Sequence, residues 1–183
     1  MATDISMASN ALMLIGDAPI NALSESAAAS NLYAQTYEYV LSEHPWSFAM
    51  KEQYLSRLTA TPDQETGYQY AFQIPSDCIR IWAIMPTSDY RIVGELLYAN
   101  ADKLLARYLY QVDETQLPPH AVEAIEYKLA EKFAIAVAED ENKSMLFARK
   151  YQDALGVAMA KDSQQHPFVG LKRNNVRYMR SRR

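Results

Sequence analysis

The chain has 183 residues, of which 49% are hydrophobic and 22% charged. That balance excludes general disorder and fits one domain burying about 70% of its unfolded surface. No apolar run reaches the roughly 20 residues of a membrane span, and "MATDISMASN" has neither the basic start nor the apolar stretch of a signal peptide, so the expectation is a chain made and kept in a cytoplasm, with no membrane partner.

Net charge is −4, but six of the 18 basic residues and none of the 22 acidic ones fall in residues 163–183, leaving 12 against 22 and a net of −10 in the first 162. An acidic body carries a basic tail. The single cysteine, Cys78, excludes an internal disulfide and every multi-cysteine zinc motif. The three histidines, His44, His120 and His166, have no metal-ligand spacing.

In chain order, "DISMASNALMLI" places Ile5, Ala8, Ala11, Leu12 and Ile15 at helical spacing, with Thr3 as N-cap and Gly16 as the stop. A loop follows, and from about Ser26 the alanines with Leu32, Thr36, Tyr39 and Val40 trace a second helix to about Glu43. His44 precedes Pro45, which pushes it out of the helical region and ends the helix there. Trp46 and Phe48 then offer large apolar surfaces where the chain turns from helix to strand, and the stretch reads as a joint packed by aromatics.

From about Phe48 to Val112 the period falls to two. "YQYAFQI", "CIRIWAIM", a hairpin around Gly94 and Glu95, and "LLARYLYQV" make about five strands, antiparallel because their links are too short for crossover helices. Pro118 and Pro119 open a third helix with a stripe of Val122, Ile125, Leu129, Phe133 and Ala136 or Val137. A fourth, about Glu141 to Lys161, carries Met145, Ala148, Tyr151 or Gln152, Leu155 and Met159. The expected fold is α+β: a four-helix bundle from residues 1–47 and 116–162, an inserted antiparallel β lobe over 48–115, and an extended basic C-terminal arm over 163–183.

Chemistry is sought along the chain without a motif to carry it. Neither phosphate-binding glycine pattern occurs, nor H-E-x-x-H, so no cofactor or metal is expected. The acid pairs Asp140 with Glu141 and Glu123 with Glu126 read as solvated helix faces, and Cys78 as a small strand residue. Glu43 and His44 have no sequence neighbour that would make them catalytic, and the chain reads as a non-enzyme. Six tyrosines between Tyr68 and Tyr110 resemble a stacking platform for single-stranded nucleic acid, but an acidic body lacks the positive groove such a platform uses.

The tail, "HPFVGLKRNNVRYMRSRR", interleaves Phe168, Val169, Leu171, Val176, Tyr178 and Met179 with Lys172, Arg173, Arg177 and Arg180. Two functions compete for it. It orders on a partner protein, burying its apolar residues while its arginines pair with carboxylates, or it contacts nucleic-acid phosphates as a small DNA-binding or packaging accessory.

Three landmarks in order carry a resemblance: "IGDAPI" (Ile15, Gly16, Pro19, Ile20) after the first helix, "HPWSFA" at the joint, and "YQYAFQIPSDC" entering the strands. Over about residues 5–160 the chain resembles the head-to-tail adaptors of tailed bacteriophages, the tail tubular protein A family. The resemblance implies a structural virion protein at the capsid vertex, assembled as a dodecameric homo-oligomeric ring beneath the portal protein, with the nozzle or other tail proteins below. It implies a channel through which double-stranded DNA passes without sequence-specific binding, and a C-terminal arm that docks on the portal. A negative wall suits passage, because it repels phosphates.

Overall fold

A computed structural model describes residues 2–59, 67–86 and 89–164. Among them are four α-helices, α1 (Asp4–Ile15), α2 (Ala27–Glu43), α3 (Pro119–Ala136) and α4 (Glu141–Ser163). Between α2 and α3 lie seven strands, β1 (Met50–Tyr54), β2 (Ser56–Arg57), β3 (Tyr70–Gln73), β4 (Cys78–Met85), β5 (Tyr90–Val93), β6 (Leu96–Ala99) and β7 (Leu105–Tyr110).

The helix ends follow local chemistry. Thr3 and Ser6 close a reciprocal capping box at the start of α1, and Gly16 takes φ 91°, which a side chain would strain, to end it. Ser26 caps α2, Pro119 occupies the first turn of α3, and the Asp140 carboxylate accepts from the N–H groups of Asn142 and Lys143 to start α4. Lys143 then donates to the Ile15 carbonyl at 2.8 Å, tying the start of α4 to the end of α1. α3 is the hub, packed along α1, α2 and α4.

The strands form two antiparallel sheets, ordered β1-β7-β4 and β2-β3-β6-β5. Leu55 is the corner between them: its N–H donates to the Leu104 carbonyl beside β7, and the next residue, Ser56, already pairs with Gln73 of β3. One bent strand therefore changes sheets within a residue. β5 and β6 close through Gly94 and Glu95, with Gly94 at φ 59° and Val93 opposite Leu96, the arrangement of a type II′ hairpin.

The expectation of a four-helix bundle carrying an inserted antiparallel β lobe does not hold. Among the described residues the strands number seven in two sheets, and the three-stranded sheet is a middle layer with a core on either side. β7 shows why. Leu104, Ala106 and Tyr108 point into the core between the sheets, whereas Leu109 and, just beyond the strand, Val112 point into the helical core with Trp46, Leu129 and Phe133. β7 is thus buried along one face and, from Leu109 onward, on the other as well, and that end binds the helices and the second sheet into layers instead of leaving a lobe hanging from a closed bundle. The extended arm of that expectation lies outside the described residues, apart from the end of α4.

Candidate functional site

Polar and aromatic side chains meet at the joint between α2 and β1. α2 stops at Glu43 because His44 is extended ahead of Pro45, and the Trp46 N–H returns to the His44 carbonyl at 2.8 Å. A short 3-10 turn over Ser47–Ala49 then leads into β1. Trp46 is 1% exposed, donates its indole N–H to the Val40 carbonyl at 3.2 Å, stacks on Phe48 and takes the edge of His44.

What the sequence did not reveal is the partner from the far end of the chain. Asp162, in the last turn of α4 and 2% exposed, accepts from the Ser47 N–H at 3.0 and 3.1 Å and from the Ser47 hydroxyl at 2.6 Å. His44 Nε2 lies 3.6 Å from the same carboxylate. Burial holds the His44 imidazole below its ordinary pKa, opposed by the attraction of Asp162. His120, at the start of α3, is held low by burial and by Lys161, and its Nε2 is buried without a hydrogen-bond partner. Glu43 accepts from the Tyr151 hydroxyl, and Lys128 sits over the Tyr151 ring at 4.8 Å and the Tyr39 ring at 5.2 Å.

Serine, histidine and aspartate are thus together, but in an order unsuited to acyl transfer. In a nucleophilic triad the imidazole stands between hydroxyl and carboxylate and takes the proton. Here the Ser47 hydroxyl gives its hydrogen directly to Asp162. The carboxylate orders a turn of backbone and binds the serine hydroxyl itself, with His44 beside it and not between the two. Cys78 is elsewhere, at the start of β4 in an 880 Å³ cleft lined also by Leu55, Ile74, Ile81 and Ile92. Burial and the neighbouring Asp77 push its thiol up to about 11. No cluster of three or more His, Cys, Asp or Glu side chains able to hold a metal occurs among the described residues.

Of the residues singled out from the sequence, His44, Pro45, Trp46 and Phe48 come together as a joint. The proposed arm residues, Phe168, Val169, Leu171, Lys172, Arg173, Val176, Arg177, Tyr178, Met179 and Arg180, lie outside the described residues. Asp162 and Ser47 were missed, although one signal existed: a carboxylate in the last turn of a helix opposes the helix dipole, so it calls for a partner.

No protein-family model matches this chain, and no curated protein matches it either. The three landmarks of the resemblance each fall at a turn between elements. Gly16 ends α1, and the Ile20 N–H bonds back to Ser9 at 3.2 Å. The second is the joint itself. In the third, the Cys78 N–H closes a turn onto Pro75, and Asp77 accepts from Lys51 at 2.7 Å and from Tyr108 at 3.3 Å.

Proposed function

We propose that the chain is a structural head-to-tail adaptor of a virion: a subunit of a dodecameric ring beneath the portal protein, joined below to a nozzle or other tail proteins, around a channel for double-stranded DNA. The observation that carries the reading is the anchoring of the basic segment's root. α4 runs 23 residues and its last turn is fixed to the joint through Asp162 and Ser47, so the segment beginning at residue 165 starts from a rigid point. A fixed root lowers the entropy lost when a following segment orders on a partner. In this reading Phe168, Leu171 and Tyr178 bury on the portal while Arg173, Arg177 and Arg180 meet its carboxylates. The net of −10 in the first 162 residues supports a wall past which DNA slides.

The test is removal of residues 165–183 and measurement of binding to purified portal. Loss of binding with an unchanged unfolding transition is expected; unchanged binding overturns the reading. A second reading, duplex binding through the tail, is favoured by its six basic residues and absence of acids. It predicts affinity for duplex DNA that falls with salt at a log–log slope of about −0.9 per phosphate contacted and vanishes with the same deletion.

A further inference from the structure

We propose that the edge of β5 left without a strand partner among the described residues is a self-recognition surface, pairing with β5 of a second copy of this chain across a two-fold axis.

The two sheets have four edge strands, β1, β2, β4 and β5. Three are blunted. β2 is two residues long. β1 is lined by charge, with Lys51 paired to Asp77 and Glu52 to Arg107. β4 is irregular at two places, between Cys78 and Arg80 and between Ile81 and Ala83, which interrupts the row of groups a new strand would need. Short edges, charged edges and bulges are the devices by which sheets avoid further pairing. β5 is the least protected of the four: it is longer than β2, lacks the register shifts of β4 and carries one charge against the two of β1. It is regular, all four of its residues are exposed, and among these Ile92 is 45% and Val93 52% exposed, beside Tyr90 and one charge, Arg91.

Hairpin geometry settles which groups are free. A two-residue turn makes Val93 and Leu96 a hydrogen-bonded pair, so Val93 and Arg91 turn their N–H and C=O groups towards β6, while Ile92 and Tyr90 turn theirs to the open side. A second copy is the fitting occupant because β5 is complementary to itself. A two-fold axis normal to the sheet keeps equivalent faces together, so residues of like parity stand opposite each other. Centring the axis on Ile92 pairs Ile92 with its own copy through both outward hydrogen bonds and places Arg91 opposite Val93. The neighbouring register sets Arg91 against Arg91, which like charge disfavours. The contact is small, below the roughly 1,200 Å² of total area typical of stable complexes, so the dimer is weak and reversible. It needs no portal and does not rest on the ring reading.

The experiment uses the full chain in sedimentation over a dilution series. Wild type is expected to show a monomer–dimer equilibrium. Ile92→Pro removes an outward N–H without touching the β5–β6 ladder, and is expected to be monomeric at every concentration with its thermal transition kept. In a Cys78→Ser background, Ile92→Cys is expected to form a disulfide-linked dimer under mild oxidation, since opposed hydrogen-bonded residues have Cα atoms about 5.5 Å apart, whereas Val93→Cys is not. A wild type that stays monomeric at its highest soluble concentration, an Ile92→Pro chain that associates like wild type, or Val93→Cys linking as fast as Ile92→Cys overturns the proposal. Portal binding by Ile92→Pro is read separately: its retention leaves the adaptor reading standing whatever the dimer does, and loss of a dimer alone does not touch it.

Discussion

Asp162 and Ser47 are 115 positions apart in sequence and joined by three hydrogen bonds, two from the Ser47 N–H and one from its hydroxyl. That pair locks the last turn of α4 to the step from α2 into β1. Replacing Asp162 by alanine leaves a part-buried N–H and hydroxyl without their acceptor, which costs about 1–3 kcal/mol. Asp162→Ala is therefore expected to lower the melting temperature by several degrees, with Asp162→Asn, which keeps one acceptor oxygen, falling between it and wild type. Equal melting temperatures for all three would show that the pair contributes nothing to holding α4.

Trp46 fills the space between α2, the joint and the helical core, and its burial sets the size of the next effect. Trp46→Ala is expected to cost about 3–5 kcal/mol, read as a lower urea midpoint at unchanged slope. Fluorescence gives an independent check, because the other tryptophan, Trp82, is 45% exposed on β4. Removing Trp46 as Trp46→Phe is expected to shift the remaining native emission to longer wavelength. An unshifted spectrum would mean that Trp46 is not the shielded one.

Much of the helical framework was legible before any coordinates. Thr3, Gly16, Ser26, the His44-Pro45 step and Pro119 are local signals, and each marks the helix end it should, because capping and proline sterics act within a few residues. The helix faces were read less well. The spacing puts Tyr39 and Met145 on buried stripes, but both are exposed, while Tyr37 and Phe147, two residues away in each case, are buried. Alanine-rich helices present apolar atoms nearly all round, so their period leaves the phase loose.

The strands β1 and β2 were not distinguished because "MKEQY" and "SR" are polar on both faces; they are held by pairing to β7 and β3. Layering was illegible for a related reason. Which of two cores Leu109 or Tyr108 enters depends on what stands over each face of β7, and alternation along one strand carries no information about that. The Asp162 contact with the joint, a meeting of two distant segments, leaves only the faint trace of an acid at a helix end.

The two described histidines make stability depend on pH in one direction. Burial holds both His44 and His120 below the ordinary value of 6.5, with Lys161 adding to the effect at His120 and Asp162 opposing it at both. The unfolded chain then binds more protons than the folded one once pH drops below about 6.5, so stability is full above that value and falls through the window beneath it. Melting temperature is expected to decline from pH 7 towards pH 5, and His120→Gln to flatten the decline, since protonated His120 would have Lys161 as a neighbour. A wild-type curve that rises on acidification over this range contradicts the assignment.

Cys78 gives a prediction about reactivity. Its thiol is half-buried at the start of β4 and, with Asp77 beside it, is pushed up to about 11, so almost none is thiolate at neutral pH. Thiol–disulfide reagents attack through the thiolate, and the folded protein is expected to react far more slowly at pH 7.5 than the same chain in denaturant, where the ordinary value of about 8.5 is restored. The native rate should keep climbing as pH is raised past 9, beyond the point where an unperturbed cysteine levels off. Equal rates for folded and unfolded chain at pH 7.5 would mean that β4 opens freely at that end and that burial does not shield the Cys78 thiol.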